Sequence, residues 1–133
     1  MTHTHDQLLE TFLDSLPPAL ERWYSGDPFG YAELFTDGEL SYFDPLTSQS
    51  LDSSSALQAH YERIVGMVDV PKFEVVNPRL QLLGDVAVFT YNLHEYKSEG
   101  APSLTWNAAE VRECTADGWK VIHAHWSPIP PSE

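Results

Sequence analysis

Two acidic residues are the strongest candidates for chemistry in this sequence. Asp44 directly precedes Pro45, and Glu110 lies two residues before Arg112. A carboxylate held on an apolar, aromatic wall has a raised pKa and can exchange protons near neutral pH, as a general acid or base must. Both residues also have structural interpretations, because Asp before Pro commonly starts a turn and Glu110 can form an ion pair with Arg112.

Three histidines fall where a metal site could form. His123 and His125 are two residues apart on one predicted strand, and His94 lies on a neighbouring strand. Such imidazoles can act as a facial set of metal ligands, but a spacing of two is far from sufficient for a site. The chain has no glycine-rich nucleotide loop and no pair of closely spaced cysteines. We therefore predict no metal and no cofactor.

The charge balance excludes two classes of partner. Seven Lys and Arg against twenty Asp and Glu give a formal net charge of −13 over 133 residues. Such a charge repels phosphate backbones and anionic membrane surfaces, so we expect neither nucleic acid nor a membrane as partner. No apolar run approaches the roughly 20 residues that span a bilayer. The single cysteine, Cys114, suits a reducing compartment, and we predict a cytoplasmic protein.

The first half of the chain carries the 3.6-residue period of helices. It predicts a helix that is capped by Asp6 and interrupted at Pro17-Pro18, a short helix that opens at Asp27-Pro28, and a third helix between Asp52 and Val68. A strand over Glu39–Phe43 comes before the third helix. These helices must position any site on the strands that follow.

From Pro71 onward, runs rich in β-branched and aromatic residues predict four strands. The runs are Lys72–Leu83, Val86–Tyr96, Ser103–Cys114 and Trp119–Trp126. Tight turns at Gly84-Asp85 and Asp117-Gly118 favour an antiparallel meander, with Glu39–Phe43 as an extra edge strand. Helices followed by strands indicate an α+β fold, with residues 1–133 as a single domain and residues 1–5 and 128–133 as flexible ends.

Five short motifs, in this order, carry a family resemblance. They are Ser25-Gly26-Asp27, Tyr42-Phe43-Asp44-Pro45, Asn77-Pro78, Gly84-Asp85-Val86-Ala87 and the segment 117–127. The series resembles the nuclear transport factor 2-like (NTF2-like, cystatin-like or SnoaL-like) superfamily, near the branch of calmodulin-dependent kinase association domains. The resemblance implies a cone, in which a strongly curved antiparallel sheet wraps on helices around an internal pocket, and usually a homodimer or a larger ring.

Alternation along the last three strands separates two faces of the sheet. The first face carries, among others, Tyr91, Leu93, Glu95, Trp106, Glu110 and Trp126; the second carries Asn92, Asn107, Val121, His123 and His125. In the kinase association domains, pocket arginines align with Leu93, Glu110 and Trp126, so the resemblance assigns the first face to the cavity. None of the three is Arg here, which implies a more apolar pocket.

We therefore expect a homodimeric domain that binds a small, mostly apolar molecule in the cone pocket. The candidate ligand-binding residues are Tyr42, Tyr61, Tyr91, Leu93, Trp106 and Trp126. The superfamily includes isomerases, cyclases and dehydratases, and the alternative is a cofactor-free enzyme of the ketosteroid isomerase type. In such an enzyme the general base would be Glu110 or Asp44, which the resemblance places near the cavity mouth. The hydroxyl of Tyr42, Tyr61 or Tyr91 would stabilise the enolate. A purely structural oligomerisation module is the third possibility.

Overall fold

Within residues 4–130, the part of the chain that this computed structural model describes, the helices precede the long strands. The elements are α1 His5–Tyr24, α2 Phe29–Ala32, β1 Glu39–Phe43, β2 Leu51–Ser53, α3 Ser54–Ile64, β3 Lys72–Leu83, β4 Val86–Tyr96, β5 Leu104–Thr115 and β6 Gly118–Pro128. The α+β fold class and the four long strands are confirmed, each strand within about two residues of its predicted bounds.

The strands form one curved, unclosed sheet in the order β2-β1-β6-β5-β4-β3. Strands β3 to β6 make the predicted antiparallel meander. Strand β1, however, pairs in parallel with β6, with Ser41 opposite His123. The edge belongs to the unpredicted β2, which has only three residues, too few for a period-2 pattern to show.

The long helix α1 does not break where the sequence predicted an interruption. It runs through Pro17 and Pro18, and the side chains of Leu16 and Leu20, on either side of them, are fully buried. Proline in a helix interior costs about 3 kcal/mol because a backbone hydrogen bond is lost. Burial of the apolar face of α1 offsets that cost, so tertiary packing overrides the local signal.

The N-terminal end of α1 differs from the sequence prediction in its cap. The N-cap of α1 is Thr4 rather than Asp6, since its side chain accepts from the amide of Gln7. His5, predicted to be flexible, starts the helix, and its Nε2 lies 2.7 Å from the carbonyl oxygen of Leu80. The predicted flexible residues 1–3 and 131–133 lie outside the described part of the chain.

A β-bulge between β5 and β6 changes one predicted orientation. The register pairs Val111 with His123. The next residue of β5, Arg112, pairs with Val121, which leaves Ile122 as the extra residue of β6. An extra residue shifts the alternation of side chains along the strand. Val121, predicted on the outer face, is therefore fully buried.

The core lies between the helices and the inner face of the sheet. Phe12 of α1 packs against Phe89 of β4 with ring centroids 5.5 Å apart. Tyr61 of α3 contacts Trp23 and Tyr42 in edge-to-face geometry. No helix in the described range 4–130 combines the length and the apolar character needed to cross a bilayer.

Candidate functional site

A cavity of about 390 Å³ opens at one end of the core. Its interior is lined by five aromatic side chains, Trp23, Tyr24, Tyr42, Trp106 and Trp126, and by the aliphatic side chains of Ile64, Val68 and Val70. Leu46, Met67, Asp69 and Lys97 line the mouth and are exposed. The volume falls within the range typical of small-molecule sites, about 300–1,000 Å³.

Asp44, one of the two predicted acids, lies in the cavity wall at the end of β1. Its Oδ2 accepts a 2.9 Å hydrogen bond from the hydroxyl of Tyr42 and lies 2.8 Å from Nε2 of His60 on α3. Its Oδ1 accepts from the amide of Leu46 at 2.8 Å. The turn that Asp before Pro was expected to start is therefore present, and it holds a carboxylate that faces the cavity.

The hydroxyl of Tyr42 remains a proton donor in this cluster. Burial raises its pKa well above the usual value, and the neighbouring Tyr61 and the Asp44 charge raise it further. Because its pKa is raised, the Tyr42 phenol stays protonated at neutral pH, and its O–H donates a hydrogen bond to Asp44. An acid and a hydroxyl donor thus converge in the cavity, as an acid–base site requires.

A second carboxylate, Glu95 of β4, lines the same cavity and is 8% exposed. Its Oε2 accepts from the hydroxyl of Tyr24 at 2.9 Å and from Nε1 of Trp106 at 2.7 Å. Burial, and then the charge of Glu95, raises the pKa of Tyr24, so this phenol is also a donor at neutral pH. Among residues 4–130, the other oxygen, Oε1, has no hydrogen-bond partner.

Glu110, the other predicted acid, is fully buried and does not line the cavity. Its Oε1 lies 2.8 Å from Nε and 2.7 Å from Nη2 of Arg112. Its Oε2 accepts from the hydroxyls of Tyr31 and Tyr91 at 2.8 and 2.7 Å. Glu110 therefore forms the ion pair with Arg112 that was its structural interpretation. Arg112 in turn stacks on the ring of Phe12 at 4.2 Å.

The predicted ligand-binding residues divide into two groups. Tyr42, Trp106 and Trp126 line the cavity, whereas Tyr61, Tyr91 and Leu93 do not. The latter three are nearly or fully buried in the core that the helices form with the sheet. Strand alternation identifies the inner face of the sheet, but it does not show which part of that face the helices leave open.

Three residues of the site were not selected as candidates from the sequence, although Glu95 was placed on the cavity face of the sheet. His60 shares the buried face of α3 with Leu57, Tyr61 and Ile64, at helical spacing. Glu95 alternates with Tyr91 and Leu93 on the inner face of β4. Tyr24 is the last buried residue of α1. A polar side chain at an otherwise apolar, core-facing position was the signal in the first two cases.

The outer face of the sheet bears a separate polar concavity. The Asn77 amide donates to the side-chain oxygen of Asn92 at 3.0 Å, and the Asn92 amide donates to that of Asn107 at 2.8 Å. His123 and His125 line the same concavity, whereas His94 does not. Burial, with the neighbouring His125, lowers the pKa of His123. Within the described residues, no three His, Cys, Asp or Glu side chains are grouped to hold a metal.

Solved structures similar to this chain share the NTF2-like fold. An NTF2-like protein of unknown function from Pseudomonas putida KT2440 is 21% identical, with a TM-score of 0.78 over 98% of this chain and 93% of that one. A ketosteroid isomerase-like protein from Parabacteroides distasonis ATCC 8503 is 28% identical, with a TM-score of 0.72 over 95% and 86% of the two chains. No curated protein matches the chain.

A kinase association domain is also among the similar structures. The CaMKII hub of S. rosetta is 19% identical to this chain, with a TM-score of 0.68, over 97% of this chain and all of that one. The sequence model of the calcium/calmodulin-dependent protein kinase II association domain matches residues 6–130, nearly the whole chain. The resemblance expected from the motifs is thereby confirmed, and this chain belongs to the calcium/calmodulin-dependent protein kinase II association domain family.

Proposed function

We propose that this domain binds a small, mostly apolar molecule in the cavity between α1, α3 and the sheet. The observation that supports the proposal is the cavity wall, which joins five aromatic rings and three aliphatic side chains to two hydrogen-bonded carboxylates. Apolar walls supply most of the binding free energy, and a few fixed polar groups orient the ligand. We also propose that the domain is cytoplasmic.

A neutral apolar probe tests this proposal. Adamantylmethanol has a compact hydrocarbon body and one hydroxyl group, and its binding can be measured by isothermal titration calorimetry. We expect saturable binding to the wild-type protein, with one molecule of probe bound per chain. A Val68→Phe variant, which adds a ring to the cavity wall, should bind at least about tenfold more weakly, a loss of about 1.4 kcal/mol. Equal affinity in the two proteins would contradict the proposal.

A second candidate function, proton transfer without a cofactor, is favoured by the position of Asp44. Its carboxylate lines the cavity, whereas that of Glu110 is enclosed by Arg112, Tyr31 and Tyr91. As general base, Asp44 would take a proton from a carbon next to a carbonyl group of the bound molecule. Of the three tyrosines expected to stabilise the enolate, Tyr42 is the one in the cavity wall. Its hydroxyl donates to Asp44 in the free chain and would turn to the enolate oxygen during the reaction.

Deuterium exchange tests the catalytic candidate without knowledge of the substrate. Adamantyl methyl ketone in D₂O exchanges its methyl protons when a base removes one proton and the solvent returns a deuteron. We expect the wild-type chain to accelerate this exchange at least about a hundredfold over the Asp44→Asn variant, the effect typical of a positioned base. Equal rates in the two proteins would exclude Asp44 as the base and leave the binding function.

The proposal includes a homodimer formed through the outer face of the sheet. The polar concavity there presents the side chains of Asn92, Asn107, His123 and His125. A sheet face of this kind can pack on its own copy around a two-fold axis. The family membership and the hub structure support oligomerisation. A domain that assembles but binds nothing in its cavity would be the purely structural module.

A further inference from the structure

Glu95 is a buried carboxylate without a counter-charge. Its hydrogen-bond donors, Tyr24 and Trp106, are both neutral. No Lys, Arg or His in the described part of the chain forms an ion pair with it. A carboxylate at a largely buried position is stabilised by an opposite charge more than one on the surface is, because less water surrounds it. The Glu110 carboxylate, by contrast, is compensated by Arg112 within the protein.

The charged residues that line the cavity also have a net negative charge. Among its described lining residues, three are Asp or Glu and one is Lys97, which is exposed at the mouth. Asp44 contacts the basic side chain of His60, whereas Glu95 contacts no basic side chain among the described residues. The formal charge of −13 on the whole chain further raises the local concentration of small cations.

The aromatic wall is the second feature that suits a cation. The rings of Trp106 and Trp126 meet edge to face, with centroids 6.1 Å apart, and Trp23, Tyr24 and Tyr42 complete the wall. The faces of indole and phenol rings carry negative electrostatic potential, which attracts an ammonium group and also packs against hydrocarbon. A purely apolar ligand would use the rings and leave Glu95 uncompensated.

We infer that the occupant of this cavity is a small organic cation, an ammonium group on an apolar body, held by the Glu95 carboxylate and the surrounding indole and phenol rings. The inference rests on the proposed binding function and specifies its ligand class. Oε1 of Glu95, the oxygen without a partner among the described residues, would accept the ammonium N–H. The apolar body would lie toward Ile64, Val68 and Val70.

Three probes of nearly equal shape test the charge preference on the wild-type chain. Adamantylmethylamine is a cation at neutral pH, adamantylmethanol is neutral and adamantanecarboxylate is an anion. We expect calorimetry to show that the amine binds at least about tenfold more tightly than the alcohol, and that the carboxylate binds most weakly. Added salt should reduce the preference for the amine, because it screens charge interactions.

Matched variants assign the preference to Glu95. Glu95→Gln keeps an oxygen that can accept from Tyr24 and Trp106, and it should reduce the affinity for the amine at least about tenfold while the affinity for the alcohol stays within about twofold. Glu62→Gln removes the same charge from an exposed position on α3 and should change neither affinity. An unchanged amine affinity in the Glu95→Gln variant would overturn the assignment.

The outcomes separate the inference from the function on which it rests. Amine and alcohol affinities that are equal in the wild-type chain would overturn the cation inference and leave the binding function intact. Tightest binding of the carboxylate would overturn the inference in the same way. Failure of all three probes to bind would overturn the proposed function together with the inference.

Discussion

The carboxylate of Asp44 lies 2.8 Å from Nε2 of His60, and this contact joins the end of β1 to α3. Both side chains are more than nine-tenths buried. Because Tyr42 donates to the same oxygen, the orientation of the carboxylate is fixed from two sides. The contact therefore positions the acid that lines the cavity, and it also links the helical layer to the sheet.

Removal of the imidazole should destabilise this link. His60→Leu leaves Asp44 with one fewer donor, and a buried acceptor that loses a partner costs about 1–3 kcal/mol. We expect the free energy of unfolding in urea to fall by that amount. His94→Leu, on the outer side of β4, is the matched control and should change it by less than about 0.5 kcal/mol. Equal effects of the two substitutions would mean that the Asp44 contact contributes nothing specific.

Glu110→Gln should be more destabilising. The change leaves the buried Arg112 guanidinium without its carboxylate, and breaking a buried ion pair from one side costs about 3–5 kcal/mol. Thermal and urea unfolding at neutral pH measure the loss. The double variant Glu110→Gln with Arg112→Met removes the stranded charge and should recover part of the stability. An unchanged free energy of unfolding in the single variant would show that the ion pair contributes nothing to stability.

Stability should fall with acidification partly because of His123. Its pKa is lowered in the folded chain, first by burial and then by His125, so below the ordinary histidine pKa the unfolded chain binds more protons. The free energy of unfolding should therefore decrease as the pH falls from about 7.5 to about 5.5. His123→Asn, which keeps a polar side chain beside Ser41, should reduce that slope. An identical slope in the variant would show that other groups cause the pH dependence.

Charge on the outer face should prevent self-association. The double variant His123→Asp and His125→Asp places four carboxylates, two from each copy, at the proposed interface, where like charges repel. We expect light scattering to give the mass of a monomer. Gln7→Asp with Thr11→Asp adds the same charge to the exposed side of α1 and should leave the dimer intact. A dimer of unchanged mass in the histidine variant would place the interface elsewhere.

The sequence predicted the four-strand meander more accurately than it predicted β1 and α1. Strands β3 to β6 are long, β-branched and joined by tight turns, so local signals and tertiary structure agree. The parallel pairing of β1 with β6 brings together residues about eighty positions apart, and no local pattern encodes it. The continuous α1 depends on packing against the sheet, which local proline rules do not include.

The candidate site was predicted only in part. Asp44 was identified because it follows a locally predicted strand and because the family resemblance places the end of that strand near the cavity mouth. Its partner His60 is sixteen residues away on another element, so their contact depends on how α3 packs. Glu110 and Glu95 share one predicted face, yet one is enclosed in the core and the other lines the cavity. Only the three-dimensional position of the helices separates these two acids.

The position of a bound probe shows whether the cavity binds a small, mostly apolar molecule. Isotope-filtered nuclear Overhauser measurements report which protein methyl groups contact adamantylmethanol. We expect contacts to the methyl groups of Ile64, Val68 and Val70, which line the cavity. Contacts confined to Thr90 and Ala109, in the concavity on the outer face, would show that the cavity is not the binding site.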